Sequence, residues 1–334
     1  MAGRHEWEQP GAHEESPGIY RIPLPLPGDH LKAVNVYAIP DGDQLVMIDG
    51  GWALDGADEL LAAALDKIGY GLPDIREFLV THVHRDHYTQ AIALRRAYGP
   101  SVSLGEGERA CLEAMRAVTV HPDVSSLHEA GATELAELLA GWRGERDLTN
   151  WADPDRWLTD GVELPLQTRT LRVIATPGHT RGHVVFYDVA ANTLFAGDHV
   201  LPHITPSIGI ELERPPSPLR DYLASLQIVR ALPDARLLPA HGPVAPSTHA
   251  RVDELLEHHD KRLSATAEAV AGGASTGFEV ANRLGWTRHH RTFAELDVLN
   301  QMIAVHETMA HLTVLVECRG LTATAVDGVT HFTR

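Results

Sequence analysis

The sequence predicts an α+β protein in which two β-sheets pack against each other and helices cover their outer faces. Short apolar or alternating runs, which are typical of strands, fall in two groups at residues 19–48 and 162–196. Segments with apolar residues at helical spacing follow each group, at residues 58–68 and 217–232. A chain of 334 residues with 44% hydrophobic content is long enough to bury a core of this size.

The chain divides into three predicted parts. Residues 1–17 are polar and predict a flexible N-terminal tail. Residues 18–250 hold the strands of both sheets and predict the catalytic domain, which opens with three antiparallel strands. Residues 251–334 predict a small C-terminal domain of three helices and a hairpin, with hairpin strands at residues 314–317 and 321–333.

A mostly helical insertion is predicted within the catalytic domain, at about residues 106–160. Its Ala, Leu, Met and Trp content favours an apolar wall that lies over the site as a lid. The alternative is that the extra helices only pack against the sheet. The sequence favours neither interpretation over the other.

The segment Thr-His-Val-His-Arg-Asp-His at residues 81–87 follows a short apolar strand and precedes a helical pattern. Such a strand-to-helix turn can aim several side chains at one point. Its four potential metal ligands are His82, His84, Asp86 and His87. These are too many for one divalent ion that keeps an open position, so two metals are predicted, with a solvated polar turn as the alternative.

Three later strand ends each supply one further potential ligand. They are His179 in Thr-Pro-Gly-His, Asp198 in Ala-Gly-Asp-His and His241 in Pro-Ala-His-Gly. Sheet proteins place their sites at the ends of strands, so these residues are predicted to join the first turn in two ligand sets around a shared carboxylate. His183, four residues after His179, is predicted to support the loop by hydrogen bonding instead of binding a metal.

This ordered series resembles the metallo-β-lactamase superfamily of binuclear metallohydrolases over about residues 19–244. The resemblance implies an αββα sandwich of that type, here with the helical insertion and a winged-helix-like C-terminal domain. One implied metal is held by His82, His84 and His179, the other by Asp86, His87 and His241, with Asp198 bridging both. The resemblance also implies that Asp49 lies beneath the site and holds a ligand histidine, and the alternative for Asp49 is a turn cap.

The family name does not fix the activity. Asp198 stands where true β-lactamases of the best-known subclass have a cysteine, and neither Cys111 nor Cys318 lies at a ligand turn. Hydrolysis of β-lactam antibiotics is therefore disfavoured.

Composition disfavours two other classes of protein, namely nucleic-acid-binding proteins and membrane proteins. The formal net charge of −17 repels polyanions, so a nucleic-acid partner is disfavoured. No apolar run reaches the ~18 to 20 residues of a membrane helix, and no basic start precedes an apolar run at the N-terminus. The sequence therefore predicts a cytoplasmic protein without a membrane partner.

The predicted function is a metal-dependent hydrolase that uses a metal-bridging hydroxide on an ester-type bond, with a thioester or a lactone favoured. Asp86 is predicted to orient the nucleophile, and His199 or His203 to donate a hydrogen bond to the developing oxyanion. The alternative is a phosphodiesterase or ribonuclease-type hydrolase, which the C-terminal resemblance supports and the net charge opposes.

The expected cofactors are two divalent metal ions, zinc in first place with iron or manganese as alternatives. The expected partner is a small-molecule substrate with an apolar part. The C-terminal domain, which shows no basic stripe for a nucleic-acid groove, is predicted to pack on the catalytic domain or on the second subunit of a homodimer.

Overall fold

Two β-sheets lie at the centre of the molecule, in a computed structural model that describes residues 6–28, 31–117, 124–141, 147–286 and 291–334. Within these residues the first sheet has seven strands in chain order: β1 His13–Ser16, β2 Ile19–Pro25, β3 Ala33–Asp41, β4 Gln44–Ile48, β5 Ile75–Val80, β6 Ser101–Gly105 and β7 Arg156–Leu158. The second sheet has the order β12-β11-β10-β9-β8, with β8 Glu163–Pro165, β9 Thr170–Ala175, β10 Val184–Asp188, β11 Thr193–Gly197 and β12 Arg236–Pro239. A small separate sheet pairs β13 Thr322–Val326 with β14 Val329–Thr333.

Helices cover the outer faces of both sheets. The described helices longer than one turn are α1 Ala57–Asp66, α2 Arg85–Tyr98, α3 Arg109–Ala117, α4 Ser125–Glu129, α5 Thr133–Ala140, α6 Pro218–Arg230, α7 Thr248–Ala271, α8 Gly277–Arg283 and α9 Val298–Glu317. Side chains of α1 and α2 share a core with the first sheet, and those of α6, α7 and α9 share one with the second. The predicted αββα sandwich is therefore confirmed. None of the described helices combines the length and the apolar character needed to cross a membrane.

The space between the sheets is filled by apolar side chains from both of them. Ile39 and Leu79 from the first sheet meet Phe186 and Phe195 from the second, and all four are fully or almost fully buried. The rings of Tyr37 and Phe195 meet edge to face, with centroids 5.4 Å apart. Every residue of β10 and β11 is buried, because the other sheet covers one face of these strands and helices cover the opposite face.

Parallel pairing brings several strand ends to one edge of the sandwich. The strands β4 to β7 run parallel to one another, and β11 runs parallel to β12, while all other neighbouring pairs in the two sheets are antiparallel. The chain leaves β4 and β5 at Asp49 and Thr81, and it leaves β11 and β12 at Asp198 and Ala240. The turns that carry the predicted ligands therefore gather at one place, as expected for the carboxyl ends of parallel strands.

Residues 13–16 correct the prediction of a flexible tail over residues 1–17. They form β1, which pairs antiparallel with β2. The Glu15 carboxylate also lies 2.8 Å from Nε of Arg21 and 2.8 Å from a terminal guanidinium nitrogen of Arg236. Backbone pairing and two ion pairs hold this polar segment on the edge of the sheet, and neither depends on an apolar repeat in the sequence.

Helices α4 and α5 of the insertion pack against the C-terminal helices, while α3 packs on the core of the first sheet. Leu127, Leu135 and Leu139 of α4 and α5 share one buried cluster with Val280 of α8 and Val305 of α9. These leucines are therefore not a wall of the site, and packing is the interpretation that the structure supports for α4 and α5. Residues 118–123 and 142–146 of the predicted insertion lie outside the described residues.

Residues 314–317 are helical, which corrects the predicted first strand of the C-terminal hairpin. They form the last turn of α9, where Val314 is buried and Leu315 and Val316 pack on the apolar cluster shared with α8. The hairpin consists of β13 and β14 joined at Asp327-Gly328, where both residues have positive φ, as a two-residue hairpin turn requires. The domain boundary near residue 250 stays a prediction.

Candidate metal centre

The turn between β5 and α2 supplies four of the predicted ligands: His82, His84, Asp86 and His87. A glycine lets the start of α2 lie close to the end of β4. A Cβ atom on Gly50 would lie 2.6 Å from the backbone nitrogen of Ala91, a distance that real structures do not show. The backbone nitrogen of Gly50 donates a hydrogen bond of 2.8 Å to the carbonyl of His87, which fixes the first turn of the helix against the sheet.

A first group of ligand atoms comes from His82, His84, His179 and Asp198, which lie within 4.8 Å of one another. Nδ1 of His84 lies 2.9 Å from Nε2 of His82 and 3.0 Å from Nε2 of His179. Nε2 of His179 lies 3.5 Å from Oδ2 of Asp198. Three ring nitrogens and one carboxylate oxygen thus converge on one point from three separate turns.

A second group consists of Asp86, His87 and His241, again within 4.8 Å of one another. Nε2 of His241 lies 3.4 Å from Oδ2 of Asp86 and 3.4 Å from Oδ1 of Asp198. Nε2 of His87 lies 3.7 Å from each of the same two oxygens. The Asp198 carboxylate therefore faces His179 of the first group with Oδ2 and the second group with Oδ1.

Unsatisfied atoms show that these residues fit bound cations. Nε2 of His87, Nε2 of His241 and Oδ1 of Asp198 are buried and have no hydrogen-bond partner among the described residues. Buried polar groups without a partner are costly, and they are uncommon in folded proteins. A divalent cation would satisfy all three, and imidazole with carboxylate is a ligand set suited to zinc, iron or manganese.

Asp49 fixes the ring orientation of His87, a member of the second group. Its Oδ2 lies 2.8 Å from Nδ1 of His87, and its Oδ1 accepts a hydrogen bond of 2.7 Å from the backbone nitrogen of Thr81. Asp49 adopts a left-handed backbone conformation with φ of 60°, which aspartate tolerates better than most residues. The implied contact of Asp49 with a ligand histidine is confirmed, and it leaves Nε2 of His87 free to bind a metal.

Backbone carbonyl groups orient two further predicted ligands. The sequence analysis predicted these histidines but not their carbonyl partners. Nδ1 of His179 lies 2.8 Å from the carbonyl oxygen of Ser207, and Nδ1 of His241 lies 2.8 Å from that of Ala33. A carbonyl oxygen only accepts, so each Nδ1 carries the proton and each Nε2 presents its lone pair. Carbonyl groups occur in every residue, so no feature of the sequence singles these two out.

The first group of histidines is held neutral. Burial lowers the pKa of His84 to about 3, and it lowers the pKa values of His82 and His179 below their usual range as well. Neighbouring histidines lower the values further. A histidine must be neutral to bind a metal, so these rings are ready for that role at neutral pH.

The carboxylates in and around the second group favour a positive charge on its histidines. Burial alone would lower the pKa of His87, but the carboxylates of Asp49, Asp86 and Asp198 outweigh it and raise the pKa to about 10. Burial alone would raise the pKa of Asp86, but His87 and His241 outweigh it and hold that pKa below the usual range. Without a metal these carboxylates attract a proton to His87, and a divalent cation would take the place of that proton.

His183 supports the site from behind, as predicted. Its Nδ1 lies 2.9 Å from the hydroxyl of Thr176, and its Nε2 accepts a hydrogen bond of 3.2 Å from the backbone nitrogen of Asp198. Its ring also stacks on that of His82, with centroids 5.0 Å apart. His183 therefore positions the shared carboxylate and a ligand ring.

His199 and His203, both predicted to contact substrate, lie in different surroundings. The side chain of His199 is fully buried, and its ring packs edge to face on Tyr222, behind His183. The structure therefore does not support the predicted contact of His199 with substrate. His203 is exposed and borders the loop of His241, since a Cβ on Gly242 would lie 3.9 Å from Cδ2 of His203.

Comparison with known proteins gives the family of the sandwich. The sequence profile of the Metallo-beta-lactamase superfamily matches residues 31–241. A beta-lactamase-like protein 2 homolog of Caenorhabditis elegans is 29% identical over 163 residues, which are 49% of this chain and 47% of that protein. The chain thus spans about half the length of this relative.

Two further proteins are similar over most of the chain. An atrochrysone carboxyl ACP thioesterase of Cryptosporiopsis is 23% identical over 286 residues, 82% of this chain and 72% of that protein. The crystal structure of a metallo-beta-lactamase family protein from Thermus thermophilus superimposes with a TM-score of 0.74 at 26% identity, covering 96% of this chain and 99% of that one. The similarity to the solved structure therefore extends beyond the two sheets into the C-terminal helices.

Proposed function

The chain belongs to the metallo-β-lactamase superfamily of hydrolases, and we propose that its substrate carries an ester-type bond, a thioester or a lactone. The observation that carries the proposal is the position of Asp198, whose two oxygens face the two separate groups of ligands. A carboxylate at this position suits a binuclear centre of histidine and aspartate ligands. The thioesterase activity named for one relative supports a thioester among the ester-type bonds.

We assign the ligands as the geometry groups them. His82, His84 and His179 would hold one divalent metal, Asp86, His87 and His241 the other, and Asp198 would bridge them. Zinc is the metal we propose first, with iron or manganese as alternatives. Bound metals supply Lewis-acid polarisation of the scissile carbonyl and a lowered pKa for the attacking water.

Two side chains of the protein would act on the reacting groups directly. The Asp86 carboxylate stays ionised because His87 and His241 lower its pKa, so it would accept a hydrogen bond from the attacking water and orient it. The exposed ring of His203, beside the His241 loop, would donate a hydrogen bond to the oxygen on which negative charge develops.

A cavity of about 290 Å³ offers space for the part of the substrate away from the reacting bond. It lies between α4, α9 and the segment before α6, and Gly209 in its wall is two residues from Ser207, the partner of His179. Its lining is mixed, with apolar, hydroxyl and charged side chains of both signs that include Met309, Ser126, Arg214 and Glu129. This lining suits a medium-sized acyl group with a polar end.

The net charge of −17 weighs against polyanionic substrates and so against the phosphodiesterase alternative. The test is a panel of rates normalised to metal content, with an aryl ester, an acyl-CoA thioester, a homoserine lactone, nitrocefin and a bis-aryl phosphodiester. We expect the thioester or the lactone to be hydrolysed with the highest kcat/KM. Turnover confined to the phosphodiester would overturn the ester-type assignment while leaving the metal centre intact.

A further inference from the structure

A third cluster of potential metal ligands lies outside the two groups that surround Asp198. Glu108 immediately precedes α3, Cys111 lies in the first turn of α3, and Glu211 lies between β11 and α6. One ligand atom from each lies within 4.8 Å of the other two. All three are buried, with 0, 5 and 7% of their surfaces exposed. None of them takes part in the centre described above.

Each carboxylate of this cluster has hydrogen-bond partners at only one of its two oxygens. The hydroxyl of Thr180 donates a hydrogen bond to Oε1 of Glu108, and the backbone nitrogen of Arg181 donates one of 2.9 Å to Oε1 of Glu211. The thiol of Cys111 also lies 3.0 Å from Oε1 of Glu211. Oε2 of Glu108 and Oε2 of Glu211 are buried, and neither has a hydrogen-bond partner among the described residues.

Two buried carboxyl groups in this state need a proton or a bound cation to neutralise them. Leaving a buried ionised group unpaired costs several kcal/mol, so folded proteins pair such groups, protonate them or bind a metal. The effect of burial on both carboxyl groups exceeds that of any neighbouring charge, and Arg181 is the last of the influences on Glu211. The basic side chains of the described residues therefore do not neutralise the cluster.

We propose that Glu108, Cys111 and Glu211 bind a third divalent metal ion of the zinc class, separate from the binuclear centre. A thiolate with two carboxylates is a ligand set that zinc accepts, and each carboxylate brings a free second oxygen to complete the coordination. Ligand atoms around a tetrahedral zinc lie roughly 3 to 4 Å apart, which small side-chain movements reach from the present positions. Binding releases to solvent the proton of the Cys111 thiol and any proton held by the two carboxyl groups.

This ion would fix the loop that carries His179. Glu108 and Glu211 hold Thr180 and Arg181, the two residues after that ligand. Glu211 is also four residues after Ser207, whose carbonyl orients the His179 ring. A metal shared by α3 and the segment of Glu211 would therefore fix both the loop that follows His179 and the segment of Ser207. This role is structural and not catalytic.

Cobalt substitution of the full chain tests the proposal directly. A cobalt ion with a thiolate ligand shows a charge-transfer absorption in the near ultraviolet that nitrogen and oxygen ligands do not give. The proposed binuclear centre has no sulfur ligand, so this band reports on a cysteine ligand, and variants of Cys111 and Cys318 show which of the two it is. We expect metal-depleted protein titrated with cobalt to bind three equivalents and to develop the band.

Two cysteine variants serve as the matched pair. Cys111→Ser should lose the band and one equivalent of cobalt while it keeps the other two, and Cys318→Ser, which changes an exposed cysteine, should keep both features. Asp198→Ala should retain the band although it disrupts the binuclear centre, so failure of the proposed function and failure of this site are distinguishable. Two equivalents without a band in the unsubstituted protein, or a band that survives in Cys111→Ser, would overturn the proposal in favour of a shared proton or adventitious binding.

Discussion

The carboxylate of Asp49 and the ring of His87 form a buried hydrogen bond of 2.8 Å between Oδ2 and Nδ1. This contact joins the end of β4 to the first turn of α2, two elements that are 38 residues apart in the chain. It sets the tautomer of His87, so that Nε2 faces the oxygens of Asp86 and Asp198. We therefore expect the metal affinity of the second group to depend on a residue that is not itself a proposed ligand.

Asp49→Asn should weaken metal binding at this group by about 10- to 100-fold, because the amide cannot accept the Nδ1 proton as the carboxylate does. Its oxygen can still accept from the backbone nitrogen of Thr81, so the fold should survive. A titration against a chelator of known affinity measures the change. Asp58→Asn, in the exposed first turn of α1, is the control, and equal affinities for the two variants would contradict the assigned role.

Asp198→Ala and His84→Ala should each lower kcat/KM by more than about a hundredfold, because each removes a ligand that no neighbour replaces. Asp198→Ala should also reduce the metal bound per chain at both groups, since its oxygens face both. His128→Ala, which alters an exposed histidine of α4, should keep the metal content and the rate. Full activity of metal-depleted Asp198→Ala protein would rule out the binuclear scheme.

His203→Ala should lower kcat/KM by roughly tenfold, the effect of one lost hydrogen bond of about 1.4 kcal/mol to the developing charge. His199→Phe should change the rate much less, because the buried ring packs on Tyr222 and does not face the substrate. Steady-state kinetics with equal metal loading compares the two. A larger loss in His199→Phe than in His203→Ala would restore His199 as the contact residue.

Glu108 should make the metal-free protein less stable as pH rises from about 5 to 8. Burial raises the pKa of this carboxyl from 4.5 to about 8, so its contribution is complete below the lower value and is lost on passing the upper one. His87, with its raised pKa, acts in the same direction, whereas the histidines of the first group, whose pKa values burial lowers, act in the opposite direction up to about pH 6.5. The informative quantity is therefore the difference between variants.

Glu108→Gln should remove this contribution, so that the Tm at pH 8 rises relative to the Tm at pH 5 when compared with the unsubstituted protein, since glutamine has no proton to lose. Glu113→Gln changes an exposed glutamate of the same helix and should keep the original slope. Thermal unfolding in the presence of a chelator measures both. Identical slopes for the two variants would show that Glu108 is not the titrating group.

Thr313→Trp should raise KM for an acyl substrate by about tenfold with little effect on kcat, because the indole would fill the cavity beside α4. Thr313 is only partly buried, so the larger side chain can be accommodated without disrupting the core. Val298→Trp, at the exposed start of the same helix, is the control. An unchanged KM in Thr313→Trp would place the substrate elsewhere.

The ligand turns could be predicted from sequence because their information is local. His82, His84, Asp86 and His87 lie within six residues, and each later ligand follows a recognisable strand. Strand and helix patterns around them arise from side-chain spacing that the sequence displays directly. The αββα sandwich follows from the same spacing, because a strand buried on both faces must be covered by a sheet and by helices.

Contacts made by polar groups far apart in sequence could not be predicted in this way. The pairing of β1, the ion pairs of Glu15 and the carbonyl partners of His179 and His241 involve groups with no characteristic pattern. In the sequence, the leucines of α4 and α5 are compatible with a helix that faces a substrate and with one that faces another helix. Only their packing against α8 and α9 distinguishes the two possibilities.

The sequence by itself thus determined the sandwich and the seven residues predicted as ligands, because these depend on short-range periodicity and on residue chemistry. Only the tertiary structure decided which side of the site each histidine occupies, since a ring such as that of His199 is directed by the elements that pack around it. The cluster of Glu108, Cys111 and Glu211 also depends on the tertiary structure. Its members are up to 103 positions apart, and the fold alone brings them together.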